Sequence, residues 1–356
     1  MDKKRNNPLQ RSSQMMRAVV LDAPGPVSNL HVREVPIPEP RPGWVLLRVM
    51  AFGLNRSELH TRLGLAGPDV TFPRVLGIEA TGVIEAAPGT DLPIGCKAVA
   101  MMGGMGREFD GGYAEYTLVP ESSIVLVETE LEWARLGALP EVLQTAYGSM
   151  TVGMGAKEGD TILIRGGTSS VGLVTALLGK QRGMRVLATT RKADRVEELL
   201  ASGVDDVLID DGEIAEKVRE LVPDGVDGAL ELVGAPTLRD TLACTRIGGT
   251  VCFTGMLSNK WIVEQFYPID FIPTGVRLTA YGGEASDLPS SVLSDVANAI
   301  HRGEVSLPIM TYDMEQIQVA HDDMEHNKVV GKQVVLTSRY DFLCSSRRSE
   351  GRRDVS

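Results

Sequence analysis

The sequence predicts an α/β protein of two units, one β-rich and one built on a doubly wound parallel sheet. Three observations carry this. From Met16 to about Glu132, short apolar runs are punctuated by Gly and Pro, with little helical period. From Thr161 onward, strand and helix patterns alternate at the spacing of βαβ units. Between the first such strand and helix lies a turn almost without side-chain bulk, Gly166-Gly167-Thr168-Ser169-Ser170-Val171-Gly172.

In chain order, Arg17–Leu21 and His31–Val35 have strand character. Pro36, Pro38, Pro40 and Pro42 interrupt regular pairing until Trp44–Phe52 resumes it. Val75–Glu85, Lys97–Met101 and Tyr113–Val119 continue the pattern. Met101–Gly112 holds five glycines in twelve residues, the composition of a mobile loop. Past Glu132 the period changes, and Ala134–Leu139 and Val142–Met150 read as helices. Thr161–Ile164 is a strand. The helix after it places Val171, Val174, Leu177 and Leu178 on one stripe, Gly183 stops it, and Arg185–Thr189 is the second strand. Alternation continues through Val207–Ile209, Glu213–Leu221, Gly228–Leu232, Thr237–Thr245 and Thr250–Phe253. Arg277–Tyr281 supplies a last strand, apolar enough at a sheet edge to need covering, so a homodimer is expected. Pro289–Arg302 and Ile317–His326 are helical, and Val334–Thr337 is a strand expected to pair back onto the first unit.

The small-residue turn points to phosphate. The first N–H groups of a helix have no internal partner and carry the positive end of its dipole. A pyrophosphate binds there when the backbone can be approached closely. The dinucleotide fingerprint G-x-G-x-x-G falls on Gly167, Ser169 and Gly172, with a serine in the middle, and Thr168, Ser170 and Val171 complete the turn. An NAD site places an acid about 20 residues further on, for the ribose hydroxyls. Here the sequence has Thr189, Thr190, Arg191, Lys192 and then Arg195. A carboxylate would repel a 2′-phosphate, whereas basic groups beside hydroxyls attract it, so NADPH is expected rather than NADH. The plain alternative is a solvated basic helix start. The missing acid also counts against S-adenosylmethionine, and no Gly-Lys-Ser/Thr forms a triphosphate loop.

The chain has 356 residues, long enough for two cores. Its 43% hydrophobic and 23% charged residues are ordinary globular values. A net charge of −11 makes nucleic acid an unsuitable partner, and no apolar stretch approaches a membrane span. Cys96, Cys244, Cys252 and Cys344 form no C-x-x-C pair, which suggests free thiols in a reducing, cytoplasmic setting. The first fifteen residues are polar and basic without a secretory apolar segment, although a weak organellar presequence is an alternative. The tail from Ser338 is also polar, and both ends read as disordered appendages.

Several local sequences agree with one family: Gly77-Ile78-Glu79-Ala80-Thr81-Gly82-Val83-Ile84, Gly111-Gly112-Tyr113-Ala114-Glu115-Tyr116, Thr145-Ala146-Tyr147-Gly148, Gly166 to Gly172, Gly248 to Gly255, and Asn327 to Val335. With these the chain resembles the medium-chain dehydrogenase/reductase family, and within it the zinc-independent quinone oxidoreductase branch, from about Arg17 to Leu336. The resemblance implies a GroES-like β-rich catalytic domain over 16–135 and 290–338. It also implies a Rossmann NADP-binding domain over 136–289, flanked by an N-terminal extension, 1–15, and a tail, 339–356.

Metal-binding relatives use a Cys, a His in a Gly-His-Glu triplet, and a third Cys or acid. The matching positions here are Asn55, Ile78 and Glu141, which cannot close a tetrahedral site, and the four-cysteine structural lobe is missing, so no metal is expected. His321 and His326 stand five apart and are expected at the surface.

The family likeness further implies that Thr145 packs behind the nicotinamide, that Ser169 to Gly172 cradle the pyrophosphate, and that Thr190, Arg191 and Lys192 meet the 2′-phosphate, with Arg195 a lesser partner. Gly234 and Gly255 are expected at the carboxyl edge of the sheet, where open α/β sheets bind ligands. Asn327 and Lys332 match a segment that folds towards the cofactor, their alternative being a strand start and a solvated lysine. Asn55 and His60 fall where the family lines its substrate pocket. Asn55 would donate its amide to an enolate-like oxygen, and His60, standing where quinone oxidoreductases often carry tyrosine, would donate a proton.

The expected activity is NADPH-dependent hydride transfer to a small-molecule quinone or conjugated enone. The alternatives are an enoyl reductase, a zinc-free alcohol dehydrogenase-like enzyme of a biosynthetic pathway, and a non-catalytic NADPH-binding protein. No tyrosine is followed four residues later by lysine, and there is no Gly-x-Ser-x-Gly, so short-chain dehydrogenase and acyl-transfer chemistry fall away.

Overall fold

The structure is a computed structural model that describes residues 14–329 and 331–337. Apart from Gln14 and Met15, the expected appendages 1–15 and 339–356 lie outside the described residues.

β1 (Met15–Leu21) and β2 (Leu30–Pro36) form an antiparallel ladder in register from Met15↔Pro36 to Leu21↔Leu30. β3 (Trp44–Gly53) is buried along most of its length and leads into α1 (Arg56–Arg62), a helix not apparent in the strand-dominated pattern of this stretch. β4 (Arg74–Val75) adds to β1, and β5 (Glu79–Ala86) pairs with β3. The run expected as one strand, 75–85, is broken because Gly77 adopts φ 107°. A Cβ there would lie 2.8 Å from Gly112 N, so only glycine fits. β6 (Lys97–Met101) pairs with β5, β7 (Tyr116–Pro120) returns to β3, and β8 (Ile124–Leu126) joins β6.

The glycine-rich stretch before β7 is tied down rather than loose. Gly111 N donates to Val75 O at 2.8 Å, Gly112 N to Gly77 O at 3.0 Å, and Tyr113 N to Leu76 O at 2.9 Å. Its glycines serve close backbone approach: a Cβ on Gly111 would lie 2.1 Å from Gly77 O.

Two short helices follow, α2 (Trp133–Leu136) and α3 (Pro140–Gly148), the latter continuing into one π-helical turn at Ser149–Gly153. Strands and helices then alternate: β9 (Thr161–Arg165), α4 (Ser170–Gln181), β10 (Arg185–Thr190), α5 (Val196–Ala201), β11 (Asp206–Ile209), α6 (Ala215–Leu221), β12 (Val226–Glu231), α7 (Ala235–Ala243), β13 (Thr245–Phe253), α8 (Pro268–Phe271) and β14 (Arg277–Ala280). Among the described residues these strands form one parallel sheet in the order β11-β10-β9-β12-β13-β14, with β14 at its edge. The strand order reverses between β9 and β12, and such a switch point is where open α/β sheets bind ligands.

The chain returns through α9 (Ser290–His301), β15 (Ile309–Asp313), α10 (Ile317–Glu325) and β16 (Lys332–Leu336). β16 is fully buried and runs antiparallel to β3 and parallel to β15, so the last strand joins the sheet of β3 with β15 at its edge. It begins two residues before the sequence pattern suggests, at Lys332.

Among the described residues the chain divides into a first unit within 14–141, 284–304 and 308–337, and a second of residues 142–283 and 305–307. The boundaries fall a few residues from those expected at 135/136 and 289/290. Glu141 N donates to Glu79 Oε2 at 2.9 Å and Gly103 N to Glu284 Oε2 at 2.9 Å, which attach both junction residues to the first unit. Each unit has its own apolar core, one around Val19, Leu47, Phe52 and Val335, the other around Leu163, Leu187, Ala229 and Val251. Among the described residues no helix is long and apolar enough to cross a membrane.

Candidate functional site

In the second unit the small-residue turn carries β9 into α4 at the switch point. Ser169 caps α4: its hydroxyl oxygen accepts from Gly172 N at 3.1 Å while the hydroxyl donates to Gly166 O at 2.9 Å. The serine at the middle fingerprint position therefore performs a capping role that glycine could not. Gly167 and Gly172 are required by packing. A Cβ on Gly172 would sit 2.6 Å from Gly167 O, and one on Gly167 would sit 2.8 Å from Ala188 Cβ on β10. Thr168, Ser170 and Val171 lie between them, partly exposed.

Beneath the turn is a charged network that the sequence reading missed. Gly166 N donates to Thr189 Oγ1 at 3.0 Å, and Thr189 donates to Asp210 Oδ2 at 3.2 Å. Arg165, fully buried, grips Asp210 with two bonds of 2.7 and 2.8 Å and reaches Asp240 at 2.5 Å. Burial alone would depress its pKa, but the two carboxylates more than offset this and raise it. Glu231, buried at the end of β12, receives Val233 N, Gly234 N, Thr237 Oγ1 and Thr241 Oγ1 at 2.6–3.0 Å. Burial raises its pKa against those donors and the Arg165 charge. The loop after β12 thus turns at Gly234, φ 122°, and Gly255 N donates to Glu231 O at 3.0 Å.

Past β10, Thr190 is buried and its hydroxyl accepts from Lys192 N at 3.2 Å. The Arg191 and Lys192 side chains are exposed. Arg195, just before α5, is engaged by Glu198 in its first turn, which weakens the expectation that it meets a phosphate. Thr145 lies on α3 and donates to Gln144 Oε1 at 3.2 Å.

In the first unit, residues distant in sequence assemble a buried ionic cluster. Asn55 starts α1, and its backbone N donates to Glu58 Oε2 at 2.9 Å, half of a capping box. The Asn55 amide is fully engaged. Nδ2 donates to Glu79 Oε1 at 2.9 Å and Glu58 Oε1 at 3.3 Å, and Oδ1 accepts from Lys332 Nζ. This corrects the expectation that the amide stands ready to donate to a substrate oxygen, because two carboxylates hold its hydrogens.

Lys332 is also corrected. It is neither solvated nor available to a nucleotide: its ammonium lies 2.8 Å from Glu79 Oε1 and 3.5 Å from Glu141 Oε2, with the side chain 4% exposed. Burial would lower its pKa, but Glu79 and Glu141 reverse this and raise it. Glu58 also accepts from Ile78 N at 3.0 Å. Burial, reinforced by the Glu79 charge and opposed by Ile78 N–H and Lys332, pushes its pKa up to about 7.

His60 is buried on α1, 6% exposed. Asn327, φ 52°, accepts from Arg56 at 2.6 Å through Oδ1. His321, expected at the surface, is fully buried: Nε2 stands 3.2 Å from Tyr113 Oη, and burial lowers its pKa to about 3. Its packing against Tyr113, which itself stacks on Phe52, comes from contacts that local periodicity does not report. His326 is exposed as expected. Asn55-x-x-Glu58 carried a capping signal in the sequence, whereas Arg165 and Glu231 carried none.

Residues 41–129 match the alcohol dehydrogenase GroES-like domain, and residues 170–294 match the zinc-binding dehydrogenase family. The chain is 25% identical to the quinone oxidoreductase of Lama guanicoe over 338 residues, 90% of this chain and 97% of that protein. It superposes on the crystal structure of AibC with a TM-score of 0.83 at 26% identity, covering 95% and 100% of the two chains. A mycobacterial structure complexed with NADPH is similar at a TM-score of 0.77 and 25% identity, covering 90% and 100%.

The chain belongs to the medium-chain dehydrogenase/reductase family. Its GroES-like domain is the mixed sheet of the first unit, and its Rossmann domain is the six-stranded parallel sheet of the second. The zinc of metal-dependent members does not fit these residues. Two of the three matching positions are an amide and an isoleucine, and a lysine ammonium already contacts Asn55 and Glu141. Among the described residues no group of His, Cys, Asp and Glu is arranged to hold a metal ion.

Proposed function

We propose that this medium-chain reductase is NADPH-dependent and zinc-independent and passes hydride to a quinone or conjugated enone. The observation that carries the cofactor reading is the capped small-residue turn at the switch point, followed after β10 by exposed Arg191 and Lys192 where an NAD site would place an acid. The NADPH complex of the mycobacterial relative and the quinone oxidoreductase named in Lama guanicoe support the same reading.

Bound there, a reduced nicotinamide supplies the hydride. Within the Ser169 to Gly172 turn, the N–H groups of Ser170 and Val171 would receive the pyrophosphate, those of Ser169 and Gly172 being held by Gly166 O and the Ser169 hydroxyl, and Arg191, Lys192 and the Thr190 hydroxyl would receive the 2′-phosphate. Gly234 and Gly255 allow close approach at the carboxyl edge, and Thr145 backs the nicotinamide. Asn327, held by Arg56, is kept as a lesser contact. His60 is the candidate proton donor to the reduced substrate oxygen, and Asn55, with its amide engaged, serves to position α1. Pairing of edge strand β14 with a symmetry mate would make the protein a homodimer, and the free Cys96, Cys244 and Cys252 fit a cytoplasmic setting.

The test is a spectrophotometric screen of NADPH and NADH against quinones, enones and aldehydes, with and without chelator. NADPH oxidation by a quinone or enone, unaffected by chelator, is expected. Tight NADPH binding without turnover would replace this reading with a storage or binding role, and chelator inhibition would remove zinc independence.

A further inference from the structure

The strongest feature outside the nucleotide turn is the environment of Lys332. Its ammonium has three hydrogens and three oxygen neighbours: Asn55 Oδ1, Glu79 Oε1 at 2.8 Å and Glu141 Oε2 at 3.5 Å. These come from the loop after β3, from β5 and from the start of α3. A gap in β3 accommodates the lysine. A Cβ on Gly53 would lie 2.7 Å from Lys332 Cε and 2.2 Å from Glu79 Oε1, so glycine at 53 leaves the space through which the side chain reaches the carboxylate. Two of the three oxygens belong to Asn55 and Glu141, positions that match metal ligands in zinc-binding members of the family.

We propose that Lys332 is a built-in cation that takes the place of the metal: its ammonium balances Glu79 and Glu141, sets the orientation of the Asn55 amide, and closes the pocket to divalent ions. The assignment does not depend on the substrate class, since it concerns charge and stability of the first unit alone. With Glu58, Glu79 and Glu141 facing one ammonium, the cluster is a place where an uncompensated carboxylate is costly. Tyr113 faces it too, but burial and the charges of Glu58 and Glu79 raise its hydroxyl pKa well above the ordinary value, so it stays neutral. Lys332 therefore acts as a positioning residue. Its charge, rather than its bulk, is what the site requires.

The experiment compares wild type, Lys332→Met and Lys332→Ala by thermal unfolding. Lys332→Met keeps the length and apolar stem, yet it is expected to unfold at least 10 °C below wild type at pH 7.5. Ethylammonium chloride at 50 mM should restore at least half the loss in Lys332→Ala, whereas equimolar sodium chloride should not, and wild type should respond to neither. Manganese(II) at 1 mM should raise the unfolding temperature of Lys332→Ala but not of wild type, because the vacated pocket then presents oxygens suited to a hard cation. Adding Glu141→Gln should abolish that gain.

If neither variant folds, carbon-13 labelling of lysine in wild type replaces them. One Cε resonance should titrate above the ordinary lysine range and stay protected from reductive methylation. A Lys332→Met protein as stable as wild type at pH 7.5, a loss in Lys332→Ala without ammonium rescue, divalent binding by wild type that Glu141→Gln removes, or a Cε signal that titrates and methylates normally would each overturn the proposal.

Discussion

Glu58→Gln tests the electrostatics of the buried cluster most sharply. Glu58 is 1% exposed, and its carboxyl is pushed from an ordinary 4.5 up to about 7, chiefly by burial. Below pH 4.5 the folded and unfolded chains both keep this proton. Between about 4.5 and 7 the unfolded chain releases it while the folded chain holds it, so stability falls as pH rises through that window. A gap of about 2.5 pH units at about 1.4 kcal/mol each corresponds to a loss of about 3 kcal/mol by pH 8. Glutamine keeps the shape but has one oxygen for three N–H donors, Asn55 N, Asn55 Nδ2 and Ile78 N, a cost of about 1 kcal/mol. The variant should therefore be about as stable as wild type at pH 5 and about 2 kcal/mol more stable at pH 8. Urea unfolding of both proteins at pH 5, 6, 7 and 8 reads this directly. Parallel stability curves across the series would refute the assignment of the raised pKa to Glu58.

Three further outcomes are expected. Arg191→Ala with Lys192→Ala should raise KM for NADPH roughly 10- to 100-fold while leaving NADH kinetics within about twofold, because exposed charge-assisted bonds contribute about 1.5–3 kcal/mol each and are partly screened; steady-state kinetics with both cofactors checks it. Gly172→Val places a Cβ 2.6 Å from Gly167 O, so the turn must shift, and calorimetry should detect no NADPH binding while the first unit stays folded. Arg165→Met leaves Asp210 and Asp240 without their buried partner and should cost about 3–5 kcal/mol at pH 7.5. Denaturant unfolding measures that loss.

Local chemistry made much of the fold legible. The alternation after Thr161 announced the parallel sheet because period and β-branching are properties of short windows. The turn Gly166–Gly172 announced a helix start because glycine and serine act within a few residues of themselves, and the structure shows the serine at work as the cap. The Asn55-x-x-Glu58 spacing matches a capping box as well, but amid strand patterns that short signal did not by itself reveal α1. The alternation and the turn were determined by the sequence alone, since the forces that set them span three or four residues.

What only the tertiary structure decided are partnerships between distant residues. Lys332 and Asn55 are 277 positions apart, and nothing near either one distinguishes a solvated lysine from an ammonium enclosed by carboxylates. His321 was indistinguishable from His326 until Tyr113 packed against it, and Arg165 reads as an ordinary strand end until Asp210 and Asp240 surround it. The cost of burying a charge depends on which opposite charge or N–H lies within about 3 Å, and that is settled by long-range contacts when the chain folds.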